Sequence, residues 1–217
     1  DEWNAVIDVL NELSKQGPVI LLNDIAYIDF AYRGEAARDY IRNFDRISEN
    51  VFVIIAFSIS KSMTAYGMRC GAAILMAQKQ ESVREVEIVF EKAARAIWSN
   101  VNNAAMETFV SVITDERSSY EAEKDSYVQL LRERSSIFTK EADACQLAYY
   151  PYKEGFFVTL QMEDNAQRDA FHEALMKAHI YTVKVNKGIR VAVCSLPVEK
   201  CYGLAKRMKD ILDTLTK

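Results

Sequence analysis

Apolar positions recur every three to four places from the start of the chain. Trp3, Val6, Ile7, Val9, Leu10 and Leu13 fall on one face of a helix over residues 2–14, and Gly17-Pro18 ends it. The pattern then changes. Residues 19–22 and 51–57 are apolar without alternation, which predicts strands buried on both faces of a parallel sheet. Between them Ala37, Tyr40, Ile41, Phe44 and Ile47 return at helical spacing, so the segment reads as a β-α-β unit with a right-handed crossover. A further strand over 71–76 is followed by helical stretches over 83–98, 101–113 and 116–142. After Pro151 the elements shorten. A strand at 156–160, a helix at 166–178, two strands at 181–185 and 189–193 joined through Asn186-Lys187-Gly188, and a closing helix at 198–215 make a second, smaller α/β unit. The expected division is 1–115 and 116–217, in an α/β chain.

Composition narrows the function classes. Half of the 217 residues are hydrophobic, enough for a substantial core. The net charge of −4, with lysine and arginine scattered, gives no footprint for nucleic acid or an anionic membrane. No apolar run approaches the roughly 20 residues that cross a bilayer, so a chain without membrane partners and a small metabolite as ligand are expected. Four cysteines (Cys70, Cys145, Cys194, Cys201) without metal-ligand spacing, and only two histidines, point to reduced thiols in the cytoplasm and to no metal site. The chain opens on Asp1-Glu2-Trp3, which read as the opening of a helix, without a starting methionine or signal peptide, and this start in mid-fold predicts a fragment of something longer.

Candidate chemistry gathers where the two predicted parallel strands end. The first runs into Asp24-Ile25-Ala26-Tyr27, and the second into Ser58-Ile59-Ser60-Lys61, with Arg69 eight residues on. Open α/β sheets bind ligands at this carboxyl edge. Pyridoxal phosphate asks for such a set: an amine for its aldehyde (Lys61), a carboxylate for its ring nitrogen (Asp24), and cationic and hydroxyl donors for its phosphate (Arg69 and Ser58). Tyr27 stands where a hydroxyl can reach the ring oxygen, and a core aromatic with a wet hydroxyl is the competing reading.

The segments Asp24-x-Ala26-Tyr27 and Ser58-x-x-Lys61, with Arg69 eight residues later and Gly71 two beyond, resemble the cofactor signature of class I aminotransferases, the aspartate aminotransferase superfamily. The resemblance covers nearly all of this chain and about half of the family's enzyme. It implies part of the mostly parallel large-domain sheet of a fold-type I enzyme, followed by the C-terminal small domain. It also implies a homodimeric full-length enzyme that moves an amino group between an amino acid and a 2-oxo acid through a Schiff base on Lys61. Arg190, in Gly188-Ile189-Arg190-Val191-Ala192, resembles the arginine that clamps the substrate α-carboxylate; a strand-edge charge is its plainer reading. Arg95, in Arg95-Ala96-Ile97-Trp98, resembles the arginine that reads a side-chain carboxylate, favouring aspartate or glutamate, with aromatic substrates open; an ordinary helix-end arginine is the competing reading. A second Asp-x-Ala-Tyr, Asp29-Phe30-Ala31-Tyr32, follows the first. Asp24 is preferred because it directly follows the apolar strand and its separation from Lys61 suits the family. A lyase or decarboxylase of the same fold, or an aminotransferase-like sensing domain of a transcription regulator, would carry the same residues. Alone, the chain is expected to bind pyridoxal phosphate weakly and to turn over little or nothing.

Overall fold

A computed structural model describes residues 2–215, and its chain divides into two compact units, one running to Glu121 and one beginning at Ala122. Asp1, read above as part of the helix opening, lies outside the described residues.

In the first unit, α1 (Glu2–Leu13) leads through Gly17 into β1 (Val19–Asp24), and β2 (Val51–Ser58) pairs with it in parallel, Val19 opposite Val51 and Asp24 opposite Ala56. The third strand, β3 (Gly71–Met76), joins the other edge of β2 antiparallel, with Ser58 opposite Gly71, so this small sheet is mixed. The core lies on one face. Ile7 from α1, Phe44 and Ile47 from the connection, and Val51, Val53 and Ile55 from β2 are buried together, with Trp3, Leu10, Leu21 and Tyr40 against them. Trp3 stacks on Tyr40 at 4.4 Å between ring centroids.

The expectation of strands buried on both faces is corrected here. Ile20 is 66% exposed and Leu22 64%, while β2 alternates buried and half-buried positions. Side chains along a strand alternate between faces, and among the described residues of this unit only one face receives a full layer. The connection also differs from the expected α-helix: Gly34–Arg46 winds as successive tight i→i+3 turns. The reason is in the spacing, because Ile41, Phe44 and Ile47 sit three apart, and a three-residue turn aligns such positions. Helices α2 (Ile59–Ser62), α3 (Gln80–Ile97) and α4 (Asn103–Thr114) complete the unit, and the division falls inside α5 (Arg117–Ala144).

The second unit holds the remainder of α5, then β4 (Phe157–Gln161), α6 (Asn165–Lys177), β5 (Val183–Val185), β6 (Gly188–Ala192), α7 (Val198–Cys201) and α8 (Leu204–Leu215). Its sheet runs β4-β6-β5, antiparallel throughout, with Thr159 and Val183 both opposite Arg190. Phe138, Phe171, Leu175, Leu160, Ile189 and Met208 are fully buried. Asp164 starts α6 by accepting the Gln167 backbone N–H at 2.8 Å, a side-chain cap. The single closing helix expected over 198–215 is broken. Gly203 takes φ 74, a left-handed conformation open to glycine at little cost, and α7 and α8 part there. No helix among the described residues is long and apolar enough to cross a membrane.

Candidate active site

Two parallel strands that end side by side deliver the first polar groups. Asp24 is the last residue of β1, and the next amide, that of Ile25, donates to Ala56 O at 3.0 Å, so the chain leaves the sheet locked to β2. The exposed Asp24 carboxylate uses Oδ1 to accept the Ala26 backbone N–H at 3.0 Å, a local turn contact that leaves Oδ2 open to an incoming donor. Strand alternation sends Asn23 the opposite way, where its amide donates to Tyr40 Oη at 2.7 Å.

Ser58 closes β2 and caps α2, its hydroxyl accepting the Ser60 amide at 3.2 Å. The turn beyond is held rigidly. Ile59 N donates to Cys70 O, Met63 N to Ile59 O, and Tyr120 Oη to Ser62 O at 2.7 Å. Burial pushes the Tyr120 phenol up to about 12, and the nearby Asp29 charge adds to the effect. From this braced turn the half-buried Lys61 amine lies 4.0 Å from the Tyr66 ring centroid and 5.5 Å from that of Tyr27. Among the described residues no carboxylate pairs with it. A lysine held by ring faces alone keeps its amine available for chemistry.

Arg69 sits in a left-handed conformation (φ 52) at the end of the Tyr66–Met68 turn. Its Nη1 donates to Ser60 Oγ at 3.2 Å and to Tyr66 O at 2.8 Å, leaving Nε and Nη2 as donors for an anion. Asn102, the cap of α4, steadies the turn by donating to Met68 O at 3.1 Å. Gly71 is required by close approach: a Cβ there would lie 2.5 Å from Phe57 O, a backbone atom that cannot give way. The serine, lysine and arginine are thereby fixed on one short stretch around the end of β2.

The second Asp-x-Ala-Tyr is otherwise engaged. Asp29, its side chain 9% exposed, forms an ion pair with Arg38, and Phe30 is buried. Arg95 donates through Nη1 to Ser99 O at 2.9 Å and Ser99 Oγ at 2.8 Å, closing the end of its own helix α3. In the second unit, the Arg190 guanidinium lies 4.4 Å from the Phe157 ring centroid, and its buried Nε has no hydrogen-bond partner among the described residues. Sequence reasoning missed Tyr66, Ser60 and Tyr120. Tyr66 lies within the quoted arginine segment, and only the fold of the turn brings its ring beneath the lysine.

The donor set suits a flat, anionic, aldehyde-bearing group: an accessible amine, a carboxylate with a free oxygen, a serine hydroxyl and a guanidinium with donors in reserve. An α/β chain with this set at its strand ends belongs to a defined class. The family model for aminotransferase class I and II matches residues 1–208, and the chain belongs to that family. It is similar to a solved aminotransferase from Anaerococcus prevotii DSM 20548, at 34% identity and a TM-score of 0.91, covering 98% of this chain and 52% of that one. The mitochondrial aspartate aminotransferase of Schizosaccharomyces pombe is 31% identical over 48% of this chain and 23% of its own length. An aromatic-amino-acid aminotransferase from Burkholderia pseudomallei, solved covalently bound to pyridoxal phosphate, shares the fold at 22% identity and a TM-score of 0.69, covering 97% of this chain and 51% of that one. The chain thus spans about half the length of these solved relatives.

Proposed function

We propose that this chain is the lysine-bearing half of a pyridoxal-phosphate-dependent aminotransferase that moves an amino group between an amino acid and a 2-oxo acid. The observation that carries the reading is the Lys61 amine, unpaired with any carboxylate among the described residues and flanked by the rings of Tyr27 and Tyr66 at the end of β2. When bound, the cofactor supplies an electron sink for the bonding pair of the substrate's Cα–H. Residues 1–115 form the C-terminal part of the cofactor domain, and 116–217 the linking helix and small domain.

The roles of the side chains follow from their chemistry. Asp24 holds a proton on the ring nitrogen, Tyr27 donates to the ring oxygen, and Ser58 and Arg69 hold the phosphate. The Lys61 amine carries the cofactor and then moves the α-proton. Arg190 pairs with the substrate α-carboxylate through its terminal nitrogens, and the fork geometry of a guanidinium suits a carboxylate better than an ammonium does. Arg95 is assigned to a side-chain carboxylate, which favours aspartate or glutamate; its bonds to Ser99 must then exchange on binding. The parent enzyme is a cytoplasmic homodimer in this reading, consistent with four free thiols.

The test is borohydride fixation of pyridoxal phosphate onto the full-length protein, followed by peptide mapping and product analysis. Modification of Lys61, with 2-oxo acid and amino acid exchanged in equal amounts, supports the proposal. Modification elsewhere, or release of carbon dioxide in place of exchange, overturns it.

A further inference from the structure

The second unit contains a cleft that the chemistry above leaves unused. About 510 Å³ of space opens where the turn after α6 meets the end of β6 and the α7–α8 joint. That volume lies within the range of small-molecule sites, roughly 300–1,000 Å³. His179, Lys200 and Arg207 line it, and among its described lining residues none is acidic, although the whole chain carries −4. Arg207 is anchored, since Nη2 donates to Ala178 O and the guanidinium's other nitrogens remain as donors.

A further feature gives the cleft a ligand's shape. Tyr181 and Tyr202, 77% and 65% exposed, stand on its lining beside the apolar Val191 and Leu196, a wall that suits a flat body. Surface cations by themselves need no ligand. Cations and exposed rings on one cleft describe a receptor for charge and shape together.

We propose that this cleft binds a small organic anion with a planar, apolar body, independently of the cofactor edge. Lys200 and Arg207 take the anionic group, and the tyrosines flank the plane. The experiment is titration of the intact protein with 2-naphthoate and with neutral 2-naphthamide, followed by calorimetry and by backbone amide shifts. The naphthoate is expected to bind at least about tenfold more tightly than the amide. Its shifts should centre on Tyr181, Thr182, Lys200 and Gly203. Lys200→Glu, at an exposed position, and Tyr202→Ala should each weaken binding, while Arg190→Ala should leave it unchanged, separating this site from the proposed substrate arginine. Equal affinity for the amide, full binding by Lys200→Glu, shifts centred outside the cleft, or loss with Arg190→Ala would each overturn the proposal.

Discussion

The Lys61 amine lies 4.0 Å from the centroid of the Tyr66 ring, and that ring belongs to the same short turn that presents Arg69. One aromatic face therefore couples the position of the amine to that of the guanidinium, whose carbon is 5.7 Å from the same centroid. A cation over an aromatic face at a partly exposed site is worth about 0.5–1 kcal/mol. Tyr66→Phe keeps the face and is expected to leave cofactor binding within about twofold of the parent. Tyr66→Leu removes it and should weaken binding about three- to fivefold, as measured by fluorescence titration of pyridoxal phosphate into the full-length protein. Equal losses in both variants would mean that the hydroxyl, not the face, matters.

The two Asp-x-Ala-Tyr copies predict opposite phenotypes. Asp29 pairs with Arg38 while largely shielded, whereas Asp24 is exposed with one local contact. Asp29→Asn should cost about 1–2 kcal/mol in urea melts, less than a fully buried pair because Arg38 is partly solvated. Asp24→Asn should leave stability within about 0.5 kcal/mol and reduce transamination by about 100-fold or more, since an amide cannot keep the ring nitrogen protonated. Reversed effects would move the cofactor carboxylate to Asp29.

How much of this was legible in the sequence depends on distance along the chain. That Asp24 and Ser58 end their strands, with Lys61 just beyond, follows directly from where apolar runs stop, because strand ends are local events. The paired state of Asp29 required knowing that Arg38 returns to it across a connection of tight turns, and the contribution of Tyr120 required contact over 58 residues. The apolar runs 19–22 and 51–57 implied cover on two faces, and the described residues supply a full layer for one, so Ile20 and Leu22 came out exposed. Gly203 falls inside the closing helix that the pattern predicts over 198–215. Its left-handed conformation divides α7 from α8 and shapes the cleft that Tyr202 and Arg207 line.

Tyr120 predicts an alkaline weakness in the first unit. Its phenol, ordinarily near 10, is pushed up to about 12 by burial and then by Asp29. A raised folded value means that the folded state holds the proton more tightly, so its contribution is fully present below about pH 10 and is lost as pH rises toward 12. Tyr120→Phe deletes the bond to Ser62 O and should cost about 1 kcal/mol at neutral pH. Between pH 10 and 12 the variant should lose stability less steeply than the parent. Urea melts across that window check the slope, and parallel curves would mean that Tyr120 ionises equally in both states.

Arg190 offers the sharpest separation of binding from chemistry. Its guanidinium packs on the Phe157 ring at 4.4 Å, and its Nε is buried without a partner among the described residues, so the native fold tolerates an unmet donor at this strand position. If a substrate carboxylate pairs with its terminal nitrogens, Arg190→Lys keeps the charge and loses the fork. Steady-state kinetics of the full-length enzyme should then show KM for the amino acid raised about 10- to 100-fold, and the affinity for pyridoxal phosphate unchanged. A purely structural arginine gives the other pattern: relieving an unsatisfied buried nitrogen would leave KM in place and raise, not lower, the unfolding midpoint.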